Sequence, residues 1–331
     1  MFLLATSGVL FLLHYDGSYL KLVDQLEKVA LKPLLLAFIC LHILQFVSVY
    51  RLLYSLPPLD IKRKKALEEA VKLTYFQQFL ARVLPLRLGE VAYVFMIKKL
   101  LKVNIAGNLA AYSLIRIWDL RIIVGSFVLT AVMNRSLFNL ETYLEHSIAY
   151  FICGVICSAI VFPLFYMRLS VELLKFLNLK LSNKNKALYK IYLFVEDIYA
   201  SYKKSIESTS YFVHGFLSFL NWALAYALFG FVYMSLNLYL PPSVVILFTS
   251  ALILLTILPL QSIGGLGIGE AGLSGLLVLY GFQSVDAIAT GFSVGIIHTT
   301  LSIALLASFC IYKILKRIYL SALIHKSHWK M

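Results

Sequence analysis

Between Ser243 and Phe282 forty residues pass with a single charged side chain, Glu270. That stretch is far longer than the ~20 apolar residues that carry a helix across a bilayer. Its middle is interrupted by Pro259 and by Gly264, Gly265, Gly267, Gly269 and Gly272. Six more apolar runs accompany it: Pro33 to Leu56, Leu73 to Ile97, Ala106 to Met133, Ile148 to Met167, Tyr211 to Leu236 and Ala287 to Tyr312. With 61% hydrophobic and 14% charged residues and a mean hydropathy of +0.85, a soluble fold would expose far too much apolar surface. The fold class is therefore all-α, a polytopic helical membrane protein forming one integral membrane domain over residues 1–331.

Charge sharpens the class. The formal net charge is +14, but the lysines and arginines cluster between apolar runs, beside membrane. Their natural counter-charge is anionic lipid rather than nucleic acid. Cys40, Cys153, Cys157 and Cys310 all sit in apolar segments, where thiols pack as small hydrophobes. Although Cys153 and Cys157 share a helix face, neither a metal nor a redox role is expected, and no cofactor is implied. Met1 to Tyr15 is only about 22 Å long as a helix. It has no basic leader and no small-residue cleavage site, so it reads as a short, retained first span.

The loops fix the expected sidedness. Arg51 to Lys72 carries six cations against three acids, and Arg168 to Glu207 eight against four. Both belong in the cytoplasm, as does the tail after Tyr312, whereas Asn134 to Glu145 belongs outside. A single crossing by Leu73 to Ile97 would put Lys98, Lys99 and Lys102 on the wrong side. A re-entrant or broken hairpin turning near Pro85 to Gly89 removes the conflict. Ser243 to Phe282 must likewise cross an even number of times, as a hairpin entered from outside and turning near Pro259 to Gly269, or as two short spans. The expected architecture is about six full spans plus two hairpins, with both termini in the cytoplasm and the chain in the plasma (cytoplasmic) membrane. Residues 73–133 and 243–312 are each a hairpin followed by a full helix, entered from opposite faces, the pattern of an inverted-topology repeat. Between them, residues 180–207 alternate at helical spacing, with Leu188, Ile191, Tyr192, Val195, Ile198, Tyr199, Tyr202 and Ile206 on one face. This cytoplasmic amphipathic helix would lie on the membrane surface or on the protein's own cytoplasmic end.

Three stretches carry a family likeness: PLRLGE at Pro85 to Glu90, LIRIWDL at Leu114 to Leu120, and LPLQSIGGLGIGEAG at Leu258 to Gly272. In order and spacing they resemble the transmembrane region of lysylphosphatidylglycerol synthases, a family that includes stand-alone flippase-like proteins. The resemblance runs from about Arg51 to Tyr312. It implies a membrane protein that moves a lipid or lipid-linked substrate between leaflets. The chain departs from the family pattern at Tyr93, Ile115 and Ile263, where the family often has Arg, Glu and Pro. About twenty residues follow the last span, which leaves no room for a soluble aminoacyl-transferase domain, so lipid aminoacylation is not expected.

Intramembrane polar residues are the candidate site. Arg87 and Glu90, and Arg116 and Asp119, are each three apart and share a helix face, so each pair could simply neutralise itself. Alternatively, half-helices starting near Gly89 and Gly269 would aim backbone N–H groups at the midplane, a seat for phosphate or carboxylate that Arg87 and Arg116 would reinforce. Glu90, Asp119 and Glu270 would then bind a cationic headgroup amine or carry a coupling proton. Gly264, Gly265, Gly267, Gly269 and Gly272 form either a turn with exposed backbone or a small-residue packing face. His298 reads as a hydrogen-bonded structural histidine, and Asn221 and Trp222 as helix contacts. The expected function is a lipid flippase-like transporter with membrane lipids of anionic or zwitterionic headgroup as partners, as a monomer or homo-oligomer. Its rivals are an intramembrane glycosyl or phosphoryl transferase using a lipid-linked donor, and a proton-coupled small-solute carrier.

Overall fold

The computed structural model describes residues 18–84, 88–134, 186–208, 210–256 and 267–328. Ten helices form within these: α1 (Ser18–Glu27), α2 (Leu31–Ser55), α3 (Arg63–Val83), α4 (Leu88–Leu101), α5 (Ile105–Met133), α6 (Lys186–Ser208), α7 (Tyr211–Ser235), α8 (Pro242–Leu255), α9 (Ile268–Leu279) and α10 (Ser284–His328). No strand occurs among the described residues. The expected spans at Met1 to Tyr15 and Ile148 to Met167 lie outside them, as do Cys153 and Cys157.

The helix ends follow local chemistry. Pro57 and Pro58 stop α2, because the residue before a proline is driven out of the helical region. Pro242 opens α8 at its first turn, where a missing N–H costs nothing. α7 ends with Asn237 at φ 57°, while Leu238 N–H bonds back to Tyr233 O at 3.0 Å. α9 ends the same way, with Gly281 at φ 104° and Phe282 N–H on Leu277 O at 3.0 Å. Asn104 caps α5, its side chain accepting from Gly107 N–H at 2.7 Å.

Among the described residues three helical stretches, Leu31–Ser55, Phe212–Ser235 and Ser284–Lys316, are long and apolar enough to cross a membrane. α5 has the length, with 29 residues, but carries Arg116, Asp119 and Arg121 in its middle. Both expected hairpins are present as helix pairs. α4 and α8 have 14 residues and α9 has 12. These are about 21 and 18 Å, shorter than a ~30 Å hydrocarbon core. Two boundaries differ from expectation. α3 begins at Arg63, ten residues ahead of the apolar run, because its first half is an exposed polar helix. The last apolar run does not end its helix at Tyr312: α10 continues through the basic tail, unbroken for 45 residues. No glycine or proline follows Gly295 to stop it.

The packing has a regularity that the sequence barely hints at. α2 lies against α7 at the centre. Renumbering α1–α5 as α6–α10, and the reverse, reproduces the remaining major contacts: α3 packs on α10 as α8 packs on α5, α4 on α5 as α9 on α10, and α1 on α10 as α6 on α5. The two flanking helices even meet equivalent stretches. Gln25 of α1 donates to Thr290 at 3.0 Å and accepts from Ser293 at 3.1 Å, near the start of α10. Tyr202 of α6 is buried with Ala110 and Leu114, near the start of α5. The amphipathic helix therefore rests on the protein's own bundle along this face.

Because Asn104 ties the end of the first hairpin to α5, Asn104→Ala should lower stability by about 0.5–2 kcal/mol. Asn104→Asp should largely preserve it, both read from thermal unfolding of the detergent-solubilised protein.

Candidate functional site

A buried ion pair anchors the polar interior. Arg51 near the end of α2 and Asp119 in the middle of α5 are each 6% exposed and bonded to one another. Arg51 also donates to the Ser218 hydroxyl at 3.2 Å, and the Trp222 indole N–H donates to Asp119 at 2.9 Å, both partners coming from α7. Of the two readings left open for Asp119, self-neutralisation along α5 does not hold here, because its carboxylate meets Arg51 on a facing helix. One expectation is corrected: Arg51 is an interior residue rather than a loop cation. An i,i+3 pair along one helix contributes only a few tenths of a kcal/mol. A charge partner on a facing helix supplies the counter-ion that a buried carboxylate requires.

Arg116 turns the other way. It donates to Glu90 on α4 at 2.9 Å and to the Tyr112 hydroxyl, whose ring lies 4.8 Å from the guanidinium carbon. These residues border a cavity of about 380 Å³ that also touches Asp119 and Trp222. The group is accessible, with the Arg116 and Glu90 side chains 45% and 28% exposed. Gly89, beside Glu90, is buried against the α3 backbone at Leu80 and Ala81, where a Cβ would collide. That glycine lets the hairpin limbs close on each other.

Glu270 occupies the matching place in the second hairpin. It is the third residue of α9, as Glu90 is the third of α4, and each follows a glycine. Its carboxylate accepts the Gly267 N–H at 2.7 Å, and Gly267 has φ 143°, which side-chain-bearing residues rarely adopt. An acid in the first turn also complements the positive end of the helix dipole. Glu270 is 5% exposed and borders a cavity of about 320 Å³ with Gln78, Asn221, Gly269 and His298. Ala81, Trp222, Ile253 and Thr256 line both cavities. Glu270 and Glu90 thus face adjoining cavities with a common wall.

Counting from the first residues of α5 and α10, Tyr112, Arg116 and Asp119 correspond to Gly291, Gly295 and His298. Where the first half sets a guanidinium against Glu90, the second sets a glycine against Glu270. A Cβ at Gly295 would run into the Glu270 carboxylate, and one at Gly291 into Ser274 and the Glu270 carbonyl. Equivalent positions therefore set an accessible guanidinium beside Glu90 in one half and leave the Glu270 carboxylate enclosed in the other.

Arg87, Gly264 and Gly265 lie outside the described residues. Gly272 packs against Leu252 and Leu255 of α8, a small-residue contact. Sequence reasoning missed Arg51, Tyr112, Gly295 and the central place of Trp222. For Arg51 a signal existed, since it falls inside the apolar run Pro33 to Leu56.

Two outcomes follow. Arg51→Met should destabilise the solubilised protein by about 3–5 kcal/mol by stranding Asp119, and Arg51→Met with Asp119→Leu should recover part of that loss. Strictly additive losses in thermal unfolding would mean the pair is not coupled. Gly295→Val should lower the melting temperature clearly more than Gly125→Ala or Gly275→Ala, whose surroundings are open within 4 Å.

A family model described as the lysylphosphatidylglycerol synthase TM region matches residues 2–306. No curated protein and no solved structure matches the chain at a significant level.

Proposed function

The chain belongs to the lysylphosphatidylglycerol synthase transmembrane-region family, and from that premise we propose that it is a lipid flippase-like transporter rather than an enzyme. Charged headgroups do not cross hydrocarbon unaided, so a transporter must replace their hydration with its own polar groups while the tails stay in lipid. The observation that carries this reading is the pair of Gly-Glu half-helices, α4 and α9, opening in the same register onto adjoining polar cavities. Short, broken helices of this kind are the usual frame of a midplane site.

In this reading a lipid phosphate binds Arg116, with Tyr112 beside it and Glu90 yielding the guanidinium. Glu270 receives the headgroup amine of a zwitterionic lipid, or a proton that couples the cycle. The contact pattern that survives exchange of the two sets of five helices supports an inverted-topology repeat, with the two hairpins rocking about α2 and α7. Residues 73–133 and 243–312 then form the two halves of one membrane domain. The basic loops and α10 tail support a plasma-membrane orientation with both termini in the cytoplasm.

Purified protein reconstituted into vesicles should accelerate movement of labelled glycerophospholipid between leaflets. Arg116→Gln and Glu270→Gln should each slow it by roughly ten- to a hundredfold, the loss of one charge-assisted hydrogen bond. Lys99→Gln, on the exposed end of α4, should not. Wild-type vesicles no faster than protein-free ones would refute the proposal.

A further inference from the structure

A third cavity, of about 420 Å³, lies away from Glu90 and Glu270, between α2, α3 and α10. Phe46, Leu67, Val71 and Phe309 give it apolar walls. Its polar depth is a chain in which His42 bonds the Tyr75 hydroxyl at 3.0 Å through Nδ1 and meets the Ser308 hydroxyl at 3.4 Å through Nε2. Lys313 and Lys316 line it toward one end, Lys313 over the Phe309 ring at 5.6 Å and Lys316 3.6 Å from Glu68. Two ammonium groups thus face one carboxylate.

Exchange of the two sets of helices carries this groove onto another, of about 590 Å³, between α5, α7 and α8. The counterpart is lined by residues such as Leu129, Phe219, Tyr226 and Val245, and among the described residues no charged side chain borders it. The same cleft is therefore built twice, once without a charged lining among the described residues. Lys313 and Lys316 are not needed to form it, and a cavity with apolar walls and cations at one end matches an amphiphile with an anionic head.

We propose that the groove between α2, α3 and α10 is a binding site for an anionic glycerophospholipid, separate from the central cavities. One acyl chain lies along Phe46, Leu67 and Val71, and the phosphate meets Lys313 and Lys316, displacing Glu68 from Lys316. Basic pockets between membrane helices hold acidic lipid headgroups by this chemistry. The proposal does not depend on transport, because binding alone is what the site requires.

The test is lipid retention by the full chain in native mass spectrometry, after incubation with phosphatidylglycerol or phosphatidylcholine of equal chain length. Wild-type protein should retain phosphatidylglycerol preferentially. Lys313→Gln with Lys316→Gln should cut that preference by about thirtyfold. Lys98→Gln with Lys99→Gln, a basic pair on α4 outside the groove, should leave it intact. Leu67→Trp, which fills the groove from an exposed position, should also reduce retention and decides the question if the double variant does not fold. Neither inorganic phosphate nor glycerol phosphate should compete at millimolar concentration. Equal retention of the two lipids, no change in the double variant or in Leu67→Trp, an equal loss in the α4 pair, or competition by free phosphate would each overturn the lipid site.

Discussion

A carboxylate buried among membrane helices must be given a counter-charge, and in this protein Asp119 receives it from Arg51. The pair fixes α5 to α2, and through Ser218 and Trp222 it fixes both to α7. α2 and α7 form the central contact of the bundle, and Trp222 lines the cavity of Glu90 as well as that of Glu270. Holding that indole by its N–H sets the wall between the two cavities. The hairpins pack around a centre in which the buried charges of Arg51 and Asp119 are already paired.

Around this centre one helix arrangement is used twice with different chemistry. Arg116 and Gly295 hold equivalent places, as do Asp119 and His298, so the same scaffold yields an accessible guanidinium in one half and an enclosed carboxylate in the other. The outer grooves repeat the theme, one edged by Lys313 and Lys316 and its counterpart lined, among the described residues, by uncharged side chains. Scaffold symmetry with broken chemical symmetry fits the proposed carrier, whose site would serve both faces yet distinguish the two ends of a headgroup.

Much of this was legible in the residues. Proline and glycine in the middle of apolar runs located both helix breaks, and the lone acid of Ser243 to Phe282 located the start of α9. Charge counting paired the hairpins even though little sequence similarity survives, because register depends on where helices begin rather than on identical side chains. What stayed hidden was partner choice. Spacing along one helix ties Arg116 to Asp119, but only the crossing of α2, α4 and α5 decides that Arg116 meets Glu90 and that Asp119 meets Arg51. Arg51 was also masked by its neighbours, since a cation close to a basic loop reads as part of that loop. The role of Gly295 could not be seen at all, because it consists of space left for a side chain on another helix.

The proposed inverted-topology repeat requires the two sets of helices to stand upside down relative to one another in the membrane. Single cysteines at Asp60, before the first hairpin, and at Tyr239, before the second, probe it most directly once Cys40, Cys153, Cys157 and Cys310 are replaced. A membrane-impermeant maleimide applied to intact cells should label Tyr239→Cys and reach Asp60→Cys only after the membrane is opened. Labelling of both positions from the same side would contradict the account.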